Sequence, residues 1–123
     1  MPAGEEDRAR AFFVGVLGME EIARPPALAK RGGAWFASGF VQLHLGVEEH
    51  FVPAKKAHPA LRCTDYQILL RRLQQAEIRV QENSDIPNQR RAFIDDPFGN
   101  RIELLEHNAP EPVEPCHPEL GPC

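Results

Sequence analysis

Hydrophobic residues in the first half of the chain recur first at helical spacing and then in alternation. Between Glu5 and Leu17 the apolar residues fall on one helical face, and Gly18 follows as a residue suited to a left-handed helix end. Three short apolar runs come after it, each rich enough in β-forming residues to be a strand. The first half is therefore predicted to be one helix and three strands, at 19–23, 33–37 and 40–46.

The second half repeats this order with one more strand at its start. Residues 57–63 alternate as a half-buried strand, and Thr64 with Gln67 forms a capping box that opens a helix. Pro97 and Gly99 mark a type I turn over residues 96–99. The pattern predicts three further strands, at 78–81, 91–95 and 101–106.

The two halves share the plan strand–helix–strand–strand–strand, and the first half lacks its opening strand. Residues 1–4 are too few to form it, so either the chain begins late relative to its relatives, or another segment or a partner chain fills the position. We therefore expect an α+β fold whose two modules, 1–50 and 57–106, form an open mixed sheet. The whole domain is expected to span 1–106.

Composition and charge narrow the function classes. A chain of 123 residues is long enough for one domain, and its net charge of −4 argues against a nucleic-acid binder, which needs a basic face. No apolar run reaches the roughly 18 residues of a membrane-spanning helix, and the acidic start does not resemble a signal peptide. These features predict a cytoplasmic protein that binds neither nucleic acid nor membrane.

The end of the chain differs in composition from the rest. Residues 110–123 hold five prolines in fourteen positions, which disfavours both a helix and a central strand. We expect 107–123 to be a disordered tail. Its cysteines, Cys116 and Cys123, have no disulfide-framework or zinc-knuckle spacing, and Cys63 is interpreted as a small buried hydrophobe.

Strand alternation places three residues that could bind a metal ion on one side of the sheet. His44, His58 and Glu103 each fall on the face opposite the helices, and two imidazoles with a carboxylate are a common set for an open divalent-metal site. Each also has an ordinary interpretation as a surface or cross-strand residue, and alternation alone does not show that they converge. Arg91 and Phe93 share this face.

Two segments resemble a known superfamily. Residues 95–106 resemble the closing hairpin of the vicinal oxygen chelate superfamily; their sequence is Asp-Asp-Pro-Phe-Gly-Asn-Arg-Ile-Glu-Leu-Leu-Glu. Residues 11–21 are similar to the helix-to-strand segment of the first module of that superfamily. That superfamily includes glyoxalase I, the bleomycin- and fosfomycin-resistance proteins and extradiol dioxygenases. The resemblance covers about residues 5–106.

The resemblance implies two βαβββ modules around a cleft, with metal ligands on the first and last strands of each module. Carried onto this chain, the ligands are His44, His58 and Glu103, and the fourth would lie on the missing strand. The implied cofactor is a divalent ion (Zn, Ni, Mn or Fe), with Glu103 also acting as a catalytic base. Arg91 would contact an anion and Phe93 would form a pocket wall.

These inferences leave alternatives open. The first is a metal-dependent lyase, isomerase or dioxygenase that acts on a small oxygen-rich substrate. The second is a metal-free protein that binds or sequesters a small molecule, as in the bleomycin-resistance branch. The third is an inactive or interaction protein that uses the unpaired sheet position. The resemblance also implies a homodimer, in which His44 could come from one chain and His58 and Glu103 from the other.

Overall fold

The architecture is that of two similar halves, each a helix with its own group of strands. The computed structural model describes residues 1–107 and residue 119. Its helices and strands, in chain order, are α1 Glu6–Phe13, β1 Glu20–Ile22, α2 Pro26–Ala29, β2 Ala34–Ser38, β3 Val41–Leu45, β4 Ala60–Cys63, α3 Tyr66–Gln75, β5 Gln81–Asn83, β6 Arg91–Asp95 and β7 Arg101–Glu106.

The strands form two sheets. The first is antiparallel, with the order β1-β2-β3, and the second has the order β4-β7-β6-β5. In the second sheet β4 runs parallel to β7, and the other pairs are antiparallel. The predicted α+β class and the plan of two similar modules are confirmed, and among the described residues no strand opens the first module.

The core lies between the helices and one face of each sheet. Phe13 of α1 stacks on Phe36 of β2 with ring centroids 5.0 Å apart. In the second module Ile102 and Leu104 of β7 are almost fully buried. Burying a side chain of this size contributes about 1.5–3 kcal/mol. The alternation of β6 and β7 predicted from sequence is confirmed, because the intervening residues Arg91, Phe93 and Glu103 point to the other face.

The first helix ends earlier than its apolar pattern predicts. α1 closes at Phe13, and a series of turns continues the chain to Leu17. Gly18 then adopts φ +76°, the left-handed conformation predicted for it. The Met19 amide bonds the Phe13 carbonyl at 2.9 Å, which directs the chain into β1.

The start of the second module differs from its prediction. β4 begins at Ala60 rather than at residue 57, so His58 precedes the strand instead of lying on it. Pro59 explains the late start, since proline has no N–H to donate to the ladder. Its carbonyl still accepts a bond from the Glu103 amide at 3.0 Å, which keeps the preceding residue close to β7.

The capping box predicted at Thr64 and Gln67 is absent. Helix α3 begins at Tyr66 with Asp65 as its N-cap and no side-chain cap bond. Because the start lies one residue later than predicted, Gln67 occupies the second helical position and cannot reach back to the cap. Its side chain accepts a hydrogen bond from Arg90 instead, at 3.2 Å.

One further strand is shifted along the chain, and one predicted turn is present. The strand predicted at 78–81 pairs only over Gln81–Asn83, because Ile78 still bonds the end of α3 through the Leu73 carbonyl. The β-turn predicted over 96–99 is present, because the Gly99 amide bonds the Asp96 carbonyl at 3.0 Å.

The remaining sequence predictions concern the C-terminal segment, the cysteines and membrane-spanning helices. The expected tail lies almost wholly outside the described residues, together with Cys116 and Cys123. Cys63 is half-buried against the core, as predicted, and burial raises the pKa of its thiol. In the described part of the chain, no helix has the length and apolar character needed to cross a membrane.

Candidate functional site

The helix-free face of the second sheet carries a compact polar network. Strand β6 contributes Arg91 and Phe93, and the adjacent β7 contributes Arg101 and Glu103. Phe93 and Glu103 are direct cross-strand partners, so their side chains emerge next to each other. Alternation along both strands therefore groups cationic, anionic and aromatic side chains on one surface.

Glu103 is held by a guanidinium group. Its Oε1 atom lies 2.8 Å from Nη1 of Arg91, and the two side chains are only 12% and 15% exposed. Arg91 also donates through Nε to the Oδ1 atom of Asn83 on β5, at 2.9 Å. Arg91 is thus fixed from two sides, and a low-dielectric position makes its bond to Glu103 stronger than one in water.

His58 completes the network from the loop before β4. Its Nδ1 atom lies 2.8 Å from the Lys55 carbonyl, which can only accept, so Nδ1 carries a proton. Its Nε2 atom lies 3.7 Å from Oε1 of Glu103. The imidazole also meets Phe93 edge-to-face, with centroids 5.7 Å apart. The loop thus aims one imidazole nitrogen at the carboxylate.

Phe93 lies between two cations. The Cζ atoms of Arg91 and Arg101 are 5.1 and 5.4 Å from its ring centroid, within the range of a cation–π interaction. Beside this group Lys55 pairs with Asp95 at 3.2 Å. With two guanidinium groups and one lysine facing two carboxylates, the surface keeps an excess positive charge.

His44 lies on the other sheet and has different partners. Its ring stacks on Trp35, the cross-strand residue of β2, with centroids 3.6 Å apart and planes 3° from parallel. Its Nε2 atom lies 3.0 Å from Oε1 of Gln42. His44, which is exposed, and Trp35, which is half-buried, therefore form a flat stack on the helix-free face of the first sheet.

One cavity joins the two sheets. It has a volume of about 260 Å³, and both His44 of β3 and Arg101 of β7 line it. His44 and Arg101 therefore border the same cavity, while Trp35, Arg91 and Phe93 do not line it.

The three predicted metal ligands do not converge within one chain. In the described residues, no group of three histidine, cysteine, aspartate or glutamate side chains is arranged to hold a metal ion. His58 and Glu103 are together, and His44 is engaged with Trp35 and Gln42. The described residues of a single chain therefore do not fit the three-ligand centre. The centre stays a prediction for an assembly in which His44 of another copy lies next to His58 and Glu103.

Three residues of this surface were not selected from the sequence. Arg101 has the same alternation as Glu103, so its face was predictable, but nothing indicated its contact with Phe93. Asn83 lies beyond the strand predicted at 78–81, and its bond to Arg91 depends on the observed position of β5. The face of Trp35 became clear only from its register with His44.

Comparison with known proteins agrees with this geometry. The sequence model of the Glyoxalase/Bleomycin resistance protein/Dioxygenase superfamily matches residues 1–104. The chain belongs to this superfamily. The resemblance found in the sequence at 95–106 and 11–21 is thereby confirmed. Among curated proteins, a search finds no match to the chain.

Three solved structures illustrate the range of the superfamily. A glyoxalase family protein from Bacillus anthracis is 44% identical, with a TM-score of 0.84 and 88% of each chain covered. TnmS3, an antibiotic-binding protein from Streptomyces sp. CB03234, is 25% identical, with a TM-score of 0.66 and coverage of 88% of this chain and 91% of that one. Lactoylglutathione lyase from Agrobacterium tumefaciens is 21% identical, with a TM-score of 0.66 and coverage of 86% and 88%, and shares the fold.

Proposed function

We propose that the chain is a metal-free binding protein for a small, planar, oxygen-rich anion. The binding surface would be the helix-free face of the second sheet, where Arg91 and Arg101 flank Phe93. The observation that carries this proposal is the pair of guanidinium groups 5.1 and 5.4 Å from one aromatic ring. These side chains would provide a flat surface on which the ring of a ligand can stack. The two planar guanidinium groups would donate hydrogen bonds to the oxygen atoms of its anionic part.

The state of Glu103 favours binding over metal chemistry in a single chain. The carboxylate is already neutralised by Arg91 at 2.8 Å, so a metal ion would have to displace a guanidinium group. In the proposed role Glu103 orients Arg91, and the ligand meets the outer edge of that guanidinium. The similarity to TnmS3, an antibiotic-binding protein, supports the same role.

A binding titration tests this function. The probe is 2-hydroxy-1,4-naphthoquinone, a planar anion with adjacent oxygens, and 1,4-naphthoquinone is the matched uncharged control. Calorimetry is performed with excess EDTA. We expect the anion to bind more tightly than the control, and we expect Arg101→Gln to weaken it about tenfold or more, the scale of one charged hydrogen bond.

The control variant is Arg71→Gln, which removes an exposed arginine of α3 and should leave the affinity unchanged. Equal affinities for the anion and the uncharged quinone, or an Arg101→Gln variant that binds as the parent does, would contradict the proposal.

A second candidate is a metal-dependent lyase, isomerase or dioxygenase with a site shared by two chains. The observation that favours it is the 3.7 Å between His58 Nε2 and Glu103 Oε1, a separation that allows both atoms to bond one ion at about 2 Å each. His44 of a second copy would supply the third ligand, and the metal would polarise a substrate oxygen. This candidate requires a homodimer.

Metal analysis separates the two candidates. Chelator-free protein is loaded separately with Zn²⁺, Ni²⁺, Mn²⁺ or Fe²⁺ and dialysed, and bound metal is counted in the parent, His58→Ala and His50→Ala. The metal-dependent candidate predicts a dimer with stoichiometric metal that is lost in His58→Ala and kept in His50→Ala, an exposed histidine outside the network. A protein that retains no metal but binds the quinone anion in EDTA excludes it.

A further inference from the structure

The surface that carries Phe93 continues toward the turn between β6 and β7. Two residues beyond Phe93 on β6, alternation brings Asp95 to the same helix-free face. The direct partner of Asp95 on β7 is Arg101, whose guanidinium group lies over the Phe93 ring. Asp95 and Arg101 therefore form a row of side chains next to Phe93.

Arg79 extends this row on the side of β5. Gln81, the first residue of β5, pairs with Phe93, and Val80 packs against the core. Alternation therefore places Arg79 on the face of Gln81 and Phe93, next to Asp95. Neighbouring strands lie about 4.8 Å apart, so one small group above Asp95 can contact an arginine on each side.

A cavity of about 150 Å³ lies at this position and is here called the Arg79 pocket. Its lining includes Arg79, Asp95 and Arg101, together with Gln81 and Phe93. A cavity of about this volume can hold a benzene molecule, so a carboxylate group fits into it. Because Phe93 and Arg101 also belong to the candidate binding surface, the pocket is an extension of that surface.

The Arg79 pocket carries an excess of positive charge. In the described part of the chain, Arg79 and Arg101 have neither an ion pair nor a side-chain hydrogen bond. Asp95, the carboxylate between them, pairs with Lys55 at 3.2 Å, so a third cation already compensates its charge. Two guanidinium groups therefore keep their hydrogen-bond donors for an acidic group of a ligand.

Arg91 lies on the other side of Phe93 along β6, two residues before it. The Cζ atoms of Arg91 and Arg101 are 5.1 and 5.4 Å from the same ring centroid, so their separation is at most the sum of these distances. A two-ring aromatic molecule with acidic groups at opposite ends spans such a separation. The surface and the pocket together therefore match a ligand with two acidic groups better than a ligand with one.

We propose that the ligand of this surface is an aromatic diacid whose second acidic group binds in the Arg79 pocket. This inference rests on the proposed function, in which the ring lies against Phe93 and the first acidic group meets Arg91. Arg79 and Arg101 donate to the second group from two sides, and the side-chain amide of Gln81 adds a neutral donor. A ligand with one acidic group leaves these donors to water.

A pair of naphthalene acids tests this inference. Calorimetry in excess EDTA compares naphthalene-2,6-dicarboxylate with 2-naphthoate, which has the same ring and a single carboxylate. In the parent protein the dicarboxylate should bind about tenfold or more tightly, the scale of one charged hydrogen-bonded contact. In Arg79→Gln the ratio of the two affinities should fall to about twofold, because the dicarboxylate then gains only from its two equivalent ends.

The matched control is Lys56→Gln. It removes one positive charge from an exposed side chain in the linker between the modules, and Lys56 does not line the Arg79 pocket. The control should keep the ratio of about tenfold, which separates a direct contact from the general electrostatic field of the protein. An equal fall of the ratio in Lys56→Gln and Arg79→Gln would overturn the inference.

The remaining outcomes separate this inference from the proposed function. A ratio of about twofold in the parent protein, or a tenfold ratio that survives Arg79→Gln, would overturn the inference. In either case, binding of 2-naphthoate that is weakened by Arg101→Gln would leave the proposed function standing. If neither naphthalene acid nor 2-hydroxy-1,4-naphthoquinone binds in EDTA, both proposals are overturned.

Discussion

Arg91 links most of the groups that define the candidate surface. It bonds Glu103 and Asn83, which lie on the strands to either side of its own, and its guanidinium lies over Phe93. A lysine could satisfy the charge of Glu103, but it lacks the planar fork that serves both partners at once. The arrangement of this residue therefore determines both the local stability and the charge presented to a ligand.

Arg91→Gln should destabilise the protein by about 1–3 kcal/mol, because it leaves Glu103, 12% exposed, without its cation. Glu103→Gln should partly relieve that cost, so the double variant should be more stable than the sum of the single effects predicts. Urea denaturation measures the four free energies of unfolding. Strict additivity would show that the two side chains are not coupled.

Asp96 plays a comparable role at the turn between β6 and β7. The residue is 5% exposed, and its Oδ1 atom accepts the amides of Phe98 and Asn100 at 2.9 and 2.8 Å. Its Oδ2 atom accepts the Asn100 side-chain amide at 2.8 Å. This carboxylate closes the turn that sets the register of Arg91 and Phe93 against β7.

Asp96→Ala should cost about 2–4 kcal/mol, because two backbone amides lose their acceptor in a buried position. The neighbouring Asp95→Ala is the matched control: Asp95 is exposed, contacts Lys55 at the surface and should cost less than about 1 kcal/mol. Thermal or urea unfolding compares them, and similar costs for the two variants would contradict the assigned role of Asp96.

Glu6 connects the first helix to the first sheet. Its Oε1 atom accepts the Gly33 amide at 3.0 Å, and this bond, ahead of other causes, lowers the pKa of the Glu6 carboxyl. Because the folded state binds the proton less readily than the unfolded state, Glu6 stabilises the fold above the ordinary glutamate pKa. That contribution is lost as the pH falls through the lowered pKa.

Glu6→Gln should therefore lower the free energy of unfolding near neutral pH, and the difference from the parent should shrink on acidification. Denaturation at a series of pH values from neutral to strongly acidic measures it, with the exposed Glu20→Gln as the control. A difference between parent and Glu6→Gln that stays constant over the whole series would contradict this linkage.

At the scale of the whole molecule, alternation in the sequence was enough to predict on which sheet face a side chain lies. It was not enough to predict the distances between side chains on different strands. Arg91, Phe93 and Glu103 were assigned correctly because a strand has a strict period of two. His58 was assigned to a strand because the pattern did not weigh the missing N–H of Pro59. The capping box failed through a shift of one residue at the helix start.

The convergence of His44 with His58 and Glu103 could not be derived from strand parity. It depends on how the two sheets meet, which the alternation within single strands does not specify. Trp35 also engages His44 through a cross-strand stack that depends on the register of β2 against β3. Long-range arrangement, not local propensity, accounts for these differences.

The most direct test of the proposed function observes the arginine side chains during binding. In excess EDTA, 2-hydroxy-1,4-naphthoquinone is added to ¹⁵N-labelled protein, and the Nε–Hε resonances of all arginines are followed by NMR. The account predicts saturable shifts of Arg91 and Arg101, with Arg71 on α3 unchanged. Shifts that are absent in EDTA and appear only after Zn²⁺, Ni²⁺, Mn²⁺ or Fe²⁺ is supplied, or that are spread over all arginines, would contradict it.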